Sequence, residues 1–368
     1  MRSFFIEMKP LIIDAHQDLA WNMLTFGRDY SLSALETRRR EMGTPTVQRN
    51  DDTLLGWPEY QQGRVAVIFA TLFAAPTRAS EGEWDLSTYA NVEQAHLLYK
   101  KQVDIYRQLF ERHPDKFVPL RSARNLAAVL ADWDNPEKPA PTGLVTLMEG
   151  ADGIRSLDEL DEWWEAGVRI IGPAWKATRF CGGTGEPGPL TPEGYSLLAA
   201  MAERGFSLDI SHMAWESALQ ALDSYEGHLI ASHANPLKMV RNGSGNRFLS
   251  DEIIDRLLER DGIIGIVPFN RFLDQTWQRS DSRSACPLDR IVAHIDYICQ
   301  RAGDAFHVGF GTDFDGGFGL QRVPDGIDTI ADLQKLTPLL GDRGYSEKDI
   351  RSIFGLNWQN FLQKSLPA

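Results

Sequence analysis

The chain has 368 residues, of which 43% are hydrophobic and 24% are charged, a composition that can bury a sizeable core and that excludes a disordered chain. Its 51 acidic and 38 basic residues give a formal net charge of −13, which disfavours binding to duplex nucleic acid or to an anionic membrane surface. The sequence contains no apolar run of about 18 residues, so no transmembrane helix is predicted. These features favour a small-molecule partner.

Short apolar runs alternate with amphipathic helical patterns along most of the chain. The runs are continuous, as expected for parallel strands covered on both faces, and they span residues 11–15, 65–72, 117–120, 144–149, 169–174, 206–210, 229–232, 263–268 and 308–311. Helical patterns occupy residues 91–112, 122–131, 156–165, 191–204, 250–260, 289–301 and 346–354.

Repeated strand–helix units predict a parallel sheet. About eight units in one chain favour a closed (β/α)₈ TIM barrel over an open doubly wound sheet. No GxGxxG pattern follows the first run, so a dinucleotide-binding fold has no support. Two segments, near residues 28–64 and 180–189, are predicted to be irregular loop insertions near the barrel mouth.

Cysteine content and the chain ends indicate the compartment. Cys181, Cys286 and Cys299 are too few and too widely spaced for a disulfide framework or a CxxC zinc site. The first residues lack the uninterrupted apolar run of a secretory signal, and the last residues lack the hydrophobic tail of a lipid anchor. We therefore expect a cytoplasmic protein.

Side chains that bind metals recur at the ends of five predicted strands. They are His16 with Asp18, then Glu149, His212, His233 and Asp313. The carboxyl ends of all barrel strands meet on one face, where active sites lie, and imidazole and carboxylate groups suit Zn²⁺ or a related ion. Each group alone could be structural, but the five together predict a metal site.

The number of candidate ligands indicates how many ions the site holds. Three imidazoles and three carboxylates exceed the three or four protein ligands of a single catalytic zinc ion. Two ions bridged by a carboxylate, about 3.5–4 Å apart, fit better. Because the candidates run from His16 to Asp313, we predict one barrel domain over residues 1–368 rather than the roughly two domains that length alone suggests.

The segments around these residues resemble the membrane (renal) dipeptidase family of zinc peptidases. His16-Gln17-Asp18-Leu19-Ala20-Trp21 is similar to the HxDxxW opening of that family. The likeness continues, in order and with similar spacing from residue 11 to about residue 360, through GLVTLMEG (143–150), DISH (209–212), SH (232–233), RFLSDE (247–252) and GFGTDFDG (309–316). The chain looks like a soluble bacterial-type member, because it lacks the disulfides and anchor of extracellular members.

The resemblance implies a dipeptidase with two zinc ions per chain on a (β/α)₈ barrel. By position, His16 and Asp18 would bind the first ion, His212 and His233 the second, and Glu149 would bridge both; these five are the expected metal ligands. Asp313 would be the general acid/base. A hydroxide bound to the zinc pair would attack the amide of a dipeptide, with L-Xaa-D-Xaa as well as L-L substrates accepted. A homodimer is a further expectation from the family.

Two more residues receive substrate-binding roles from the resemblance. Arg247 would hold the terminal carboxylate, a task suited to a bidentate guanidinium; Arg241 competes because the stretch 240–246 is longer than the family pattern usually allows. We prefer Arg247 because the segment 249–252 follows it in the expected register. Trp175 stands where eukaryotic members carry a histidine that contacts the scissile carbonyl, and it can pack against substrate but cannot take a proton.

Two alternatives remain open at this point. One is a related binuclear metal amidohydrolase that acts on another small amide, such as an N-acyl amino acid, and Trp175 together with the segment 180–189 keeps it open. The other is a non-catalytic, metal-stabilised binding protein. Against the second, all six candidate ligands and acid/base groups are present, whereas loss of activity usually removes at least one.

Overall fold

The computed structural model describes residues 9–135 and 138–368. Its strands are β1 Ile12–Gln17, β2 Val65–Phe73, β3 Ala75–Pro76, β4 Thr88–Tyr89, β5 Phe117–Pro119, β6 Thr142–Glu149, β7 Val168–Gly172, β8 Cys181–Gly183, β9 Glu186–Leu190, β10 Ser207–Asp209, β11 Leu229–Ala231, β12 Ile263–Ile266 and β13 Val308–Phe310.

The α-helices cover much of the intervening sequence. They are α1 Leu19–Thr25, α2 Ala34–Glu41, α3 Pro45–Asn50, α4 Trp57–Gly63, α5 Val92–Arg112, α6 Ala123–Trp133, α7 Leu160–Glu165, α8 Pro192–Glu203, α9 Trp215–Ser224, α10 Asp251–Glu259, α11 Asn270–Leu273, α12 Asp289–Ala302, α13 Leu336–Asp342, α14 Glu347–Arg351 and α15 Asn357–Ser365. In the described part of the chain, none of them combines the length and apolar character needed to cross a membrane.

Eight parallel strands close into a ring in the order β1-β2-β6-β7-β10-β11-β12-β13, and β13 pairs back onto β1. The predicted TIM barrel is therefore confirmed. All nine predicted runs contain strands, but β5 lies outside the ring. It pairs only with the first half of β6, where Phe117 lies opposite Thr142, whereas β7 pairs with the second half of β6.

Burial explains why the ring strands appear as continuous apolar runs. All nine residues of β2 are buried, as expected where helices cover one face and the barrel interior the other. The last helix, α15, packs against the same strands. Its Trp358 ring lies 5.4 Å from that of Phe69, and the Trp358 indole donates a 3.0 Å hydrogen bond to the carbonyl oxygen of Phe310.

The two segments predicted as irregular loops contain regular structure, so that prediction is wrong. Residues 28–64 include α2, α3 and α4, and residues 180–189 include most of the antiparallel hairpin β8–β9. The polar composition of α2 gives no apolar helical pattern, because ion pairs stabilise this helix. Its Glu41 accepts hydrogen bonds of 2.9 and 3.0 Å from the buried Arg28. Arg49 and Thr184, one from each segment, line the cavity at the barrel mouth.

Candidate functional site

The six candidate metal-site and acid/base side chains meet at the carboxyl ends of the ring strands. Each lies at the end of a ring strand or within three residues after it: His16 in β1 and Asp18 after it, Glu149 at the end of β6, and His212, His233 and Asp313 after β10, β11 and β13. The barrel topology thus brings together residues that are almost 300 positions apart in sequence, as the strand-end pattern predicts.

Glu149 lies between two groups of side chains, one formed by His212 and His233 and a second around His16. Its Oε1 atom is 3.1 Å from Nε2 of His212 and 3.4 Å from Nε2 of His233. Its Oε2 atom is 3.6 Å from Nε2 of His16. The two Nε2 atoms of His212 and His233 are only 2.9 Å apart. One carboxylate oxygen therefore faces each group, which is the arrangement of a bridging ligand.

The second group surrounds His16. Its Nε2 atom lies 3.9 Å from Oδ1 of Asp18 and 3.9 Å from Oδ1 of Asp313. That nitrogen is buried and has no hydrogen-bond partner within the described residues. His16 belongs to two sets of possible ligand atoms, and within each set all atoms lie within 4.8 Å of one another. One set adds Glu149 and His233, and the other adds Asp18 and Asp313. An unpartnered buried nitrogen among carboxylates fits a divalent cation.

The pKa values of the clustered side chains also fit a bound cation. Burial raises the pKa of Asp18 to about 6 and raises that of Asp313 well above its usual range. Burial by itself lowers the pKa of His16, but the carboxylates of Glu149, Asp18 and Asp313 outweigh it and raise this pKa to about 10. Burial lowers the pKa of His212 to about 4, so its imidazole is neutral. The carboxylates require positive charge, which metal ions would supply in place of the His16 proton.

Hydrogen bonds to the Nδ1 atoms orient the rings of His212 and His233. The Ser232 hydroxyl donates to the Asp209 carboxylate and lies 2.8 Å from Nδ1 of His233. Because the Ser232 proton is directed to Asp209, the hydroxyl oxygen accepts a hydrogen bond from the Nδ1–H group of His233. Nε2 of His233 is then unprotonated and can bind a metal ion. Nδ1 of His212 is similarly 2.9 Å from the Thr184 hydroxyl. Sequence reasoning missed these supporting roles, since they depend on contacts across strands.

The loop that carries Asp313 has an uncommon backbone. Asp313 and Asp315 have φ angles of 56° and 65°, in the left-handed region, where aspartate is tolerated better than most residues. A side chain at Gly316 would overlap the Asp313 carboxylate and place its Cβ 2.7 Å from Oδ2 of Asp18. The buried Asp315 carboxylate pairs with Arg28 at 3.0 Å. The segment 28–64 thereby stabilises the loop that presents Asp313.

Arg247 lines a cavity of about 370 Å³ above the cluster. Its guanidinium donates to the carbonyl oxygens of Ser211 at 3.2 Å and His233 at 2.9 Å, so it is held beside the candidate ligands. Its competitor Arg241 does not line the cavity: its side chain is 61% exposed and lies 3.5 Å from Asp274. Of the two arginines, the structure brings only Arg247 into the site.

Trp175 lines the same cavity. Its ring centroid is 5.1 Å from that of Phe73 and 6.3 Å from that of His212. The indole thus extends an aromatic surface up to a candidate metal ligand. This position is suited to packing against a bound molecule.

Comparison with known proteins connects this geometry with a family. The family model described as membrane dipeptidase, peptidase family M19, matches residues 3–365. The chain is 31% identical over 249 residues to an uncharacterized protein in the pqqA 5′ region of Klebsiella pneumoniae, covering 63% of this chain and 86% of that protein. It is 23% identical over 357 residues to the dipeptidase verJ of Clonostachys rogersoniana, covering 94% and 82% of the two chains.

Solved structures share the fold over nearly the full length. A metallopeptidase of family M19 called dipeptidase AC superposes with a TM-score of 0.78 at 23% identity, over 98% of this chain and 100% of that one. A metallopeptidase from Rhodobacter sphaeroides, liganded with a phosphinate mimic of the dipeptide L-Ala-D-Ala, gives 0.77 at 21% identity over the same shares. The chain belongs to the membrane dipeptidase family, peptidase family M19, whose members are metal-dependent peptide-bond hydrolases.

Proposed function

We propose that the chain hydrolyses the amide bond of dipeptides with two zinc ions, and that L-Xaa-D-Xaa as well as L-L dipeptides are substrates. The observation that carries the proposal is the position of Glu149, with one oxygen toward His212 and His233 and the other toward His16. The similar Rhodobacter sphaeroides structure, bound to a mimic of L-Ala-D-Ala, supports the stereochemical part.

Five residues would hold the two ions. His16 and Asp18 would bind one, His212 and His233 the other, and Glu149 would bridge them. The unpartnered Nε2 atom of His16 and the neutral imidazole of His212 fit this assignment. When bound, the ions would polarise the scissile carbonyl and lower the pKa of a water molecule.

The remaining steps use side chains of the chain itself. Arg247 would bind the substrate's terminal carboxylate through its guanidinium fork. Asp313, which lies beside His16, would accept a proton on its carboxylate from the attacking water and deliver it to the leaving amine. Trp175 would cover the substrate and exclude water from one side of the site.

Substitution of Arg247 tests the carboxylate assignment. We expect Arg247→Lys to raise KM for a dipeptide about 10–100-fold, because a lysine keeps the charge but loses the bidentate bond. Steady-state kinetics with parallel metal analysis measure this effect. Arg241→Lys is the matched control, and its KM should stay within about twofold of the wild type. The reverse pattern would assign the carboxylate to Arg241.

Substitution of the residues behind the histidines tests how they are oriented. We expect Ser232→Ala and Asp209→Asn each to weaken zinc affinity about 10–100-fold, because partners of this kind hold a ligating imidazole in one tautomer and orientation. Competition with a chelator of known affinity measures this directly. Ser196→Ala, on the exposed face of α8, is the control. Unchanged zinc affinity in both variants would contradict the role of the network.

Hydrolysis of small amides before and after chelation tests the proposed function. We expect cleavage of L-Ala-L-Ala and L-Ala-D-Ala, loss of both activities after chelation, and recovery on addition of Zn²⁺. Cleavage of N-acetyl-L-Ala in preference to both dipeptides would favour the amidohydrolase alternative. Binding of a dipeptide without any cleavage would favour the binding-protein alternative.

A further inference from the structure

One buried carboxylate in the cavity is not explained by the metal cluster. Asp85 lines the cavity and is only 8% exposed. Its Oδ1 atom accepts hydrogen bonds from the Trp21 indole at 2.9 Å and from the Ser87 backbone at 3.0 Å. Its Oδ2 atom has no hydrogen-bond partner, and no basic side chain pairs with it, among residues 9–135 and 138–368. A largely buried carboxylate with one oxygen left unpaired is suited to bind a cation.

Among the described residues, none of the four basic side chains that line the cavity pairs with Asp85. Lys176 donates to the Thr184 carbonyl oxygen at 3.1 Å. Arg322 bonds Asp51 and the Gly317 carbonyl oxygen. Arg49 lies over the Trp84 ring, 5.1 Å from its centroid, and Arg247 bonds the carbonyls described above. The Asp85 carboxylate is therefore open to a cation that a ligand brings.

The topology places Asp85 across the mouth from Arg247. Asp85 lies in the connection after β2 and is bonded to Trp21 of α1, which follows β1. Arg247 is bonded to the carbonyls that follow β10 and β11. In the eight-membered ring, β1 and β2 lie opposite β10 and β11, and the candidate metal ligands lie between. The cavity thus has a carboxylate on one side and a guanidinium on the other.

The surface beside Asp85 is apolar. Trp21, Phe73, Trp84 and Trp175, here called the aromatic wall, all line the cavity. The Trp21 and Phe73 rings are 6.2 Å apart, and those of Phe73 and Trp175 are 5.1 Å apart. A side chain packed there would gain from contact with aromatic faces.

We propose that Asp85 binds the free α-ammonium group of the substrate and that the aromatic wall covers the side chain of the same, N-terminal residue. This inference rests on the proposed dipeptidase function and specifies its substrate class: unacylated dipeptides with an apolar or aromatic N-terminal residue. A dipeptide zwitterion carries one charge at each end, and Arg247 and Asp85 supply the complementary pair. An N-acyl amino acid has no ammonium group and leaves Asp85 buried without a partner, which disfavours its binding.

The test compares two compounds that differ only in the ammonium group, L-Phe-L-Ala and hydrocinnamoyl-L-Ala. For each, kcat/KM is measured, with the inhibition constant of the second compound as an additional readout. We expect Asp85→Asn, which keeps the acceptor for Trp21, to lower kcat/KM for L-Phe-L-Ala about 10–100-fold. For hydrocinnamoyl-L-Ala, kcat/KM should not fall and the inhibition constant should stay the same or decrease, because Asn removes the carboxylate that this compound leaves unpaired. Zinc content should not change.

Glu81→Gln is the matched control, because Glu81 is an exposed carboxylate that lines the same cavity. It should leave both compounds within about twofold of the wild type. An equal loss for both compounds in Asp85→Asn, or no loss for either, would overturn the assignment of Asp85 while leaving the dipeptidase function intact. If the wild-type enzyme cleaved neither L-Phe-L-Ala nor any other dipeptide, the proposed function itself would fail, and the Asp85 assignment with it.

Discussion

Asp313→Asn is expected to lower kcat for dipeptide hydrolysis about 10²–10⁴-fold, the usual contribution of a positioned general acid/base. The Asp313 side chain is 14% exposed, and its Oδ1 atom lies 3.9 Å from Nε2 of His16. An amide has nearly the same shape, but it cannot accept and return a proton at that oxygen. The zinc content should stay at the wild-type value because five other residues would hold the ions. Steady-state kinetics and metal analysis of the same preparation measure both quantities.

Asp325→Asn is the control for this substitution. Asp325 is exposed and makes no hydrogen bond or ion pair among the residues that the structure describes, so its variant should match the wild type. Near-full turnover by Asp313→Asn with normal metal content would contradict the acid/base role. Loss of metal together with turnover would instead place Asp313 among the ligands.

Glu149→Gln is expected to lose metal as well as activity. The Glu149 carboxylate faces both groups of candidate ligands, and in the variant a neutral amide replaces the charge that would offset two dications. A catalytic ion supplies several kcal/mol of transition-state stabilisation, so kcat/KM should fall about 10³-fold or more. Metal content per chain should fall below two. The exposed Glu226→Gln is the control.

The Asp313→Asn and Glu149→Gln variants differ in one readout, the metal content. Asp313→Asn should lower turnover with the ions in place, whereas Glu149→Gln should lower both. A Glu149→Gln protein that retained two tightly bound ions would show that Glu149 is not the bridge. Folded structure is checked for each variant by its thermal unfolding curve.

Much of the fold could be predicted because parallel strands leave a local signal. Buried strands appear as continuous apolar runs, so the nine runs indicate strands, and residues at the carboxyl ends of barrel strands converge. The edge position of β5 could not be predicted, because an apolar run does not encode which neighbours it pairs with. The helices between residues 28 and 64 have no apolar periodicity to indicate them, because ion pairs such as Arg28 with Glu41 stabilise this segment.

The site was predictable to a similar extent. The structure brings together His16, Asp18, Glu149, His212, His233 and Asp313, and their individual roles stay predictions. Asp85 gave no signal in the sequence, since it lies in a non-periodic connection and its partner Trp21 is 64 positions away. Asp209 and Ser232 stand inside the family motifs, but only their contacts show that they support the histidines. The cytoplasmic location and the homodimer also stay predictions.

Restoration of activity in the metal-free chain tests the binuclear site most directly. The metal-free protein is titrated with Zn²⁺, and the rate of L-Ala-D-Ala hydrolysis is measured at each ratio of zinc to chain. Because Glu149 faces two groups of ligands, we expect activity to rise and then level off near two equivalents. Full activity at one equivalent, or no hydrolysis at any ratio, would contradict a two-zinc dipeptidase.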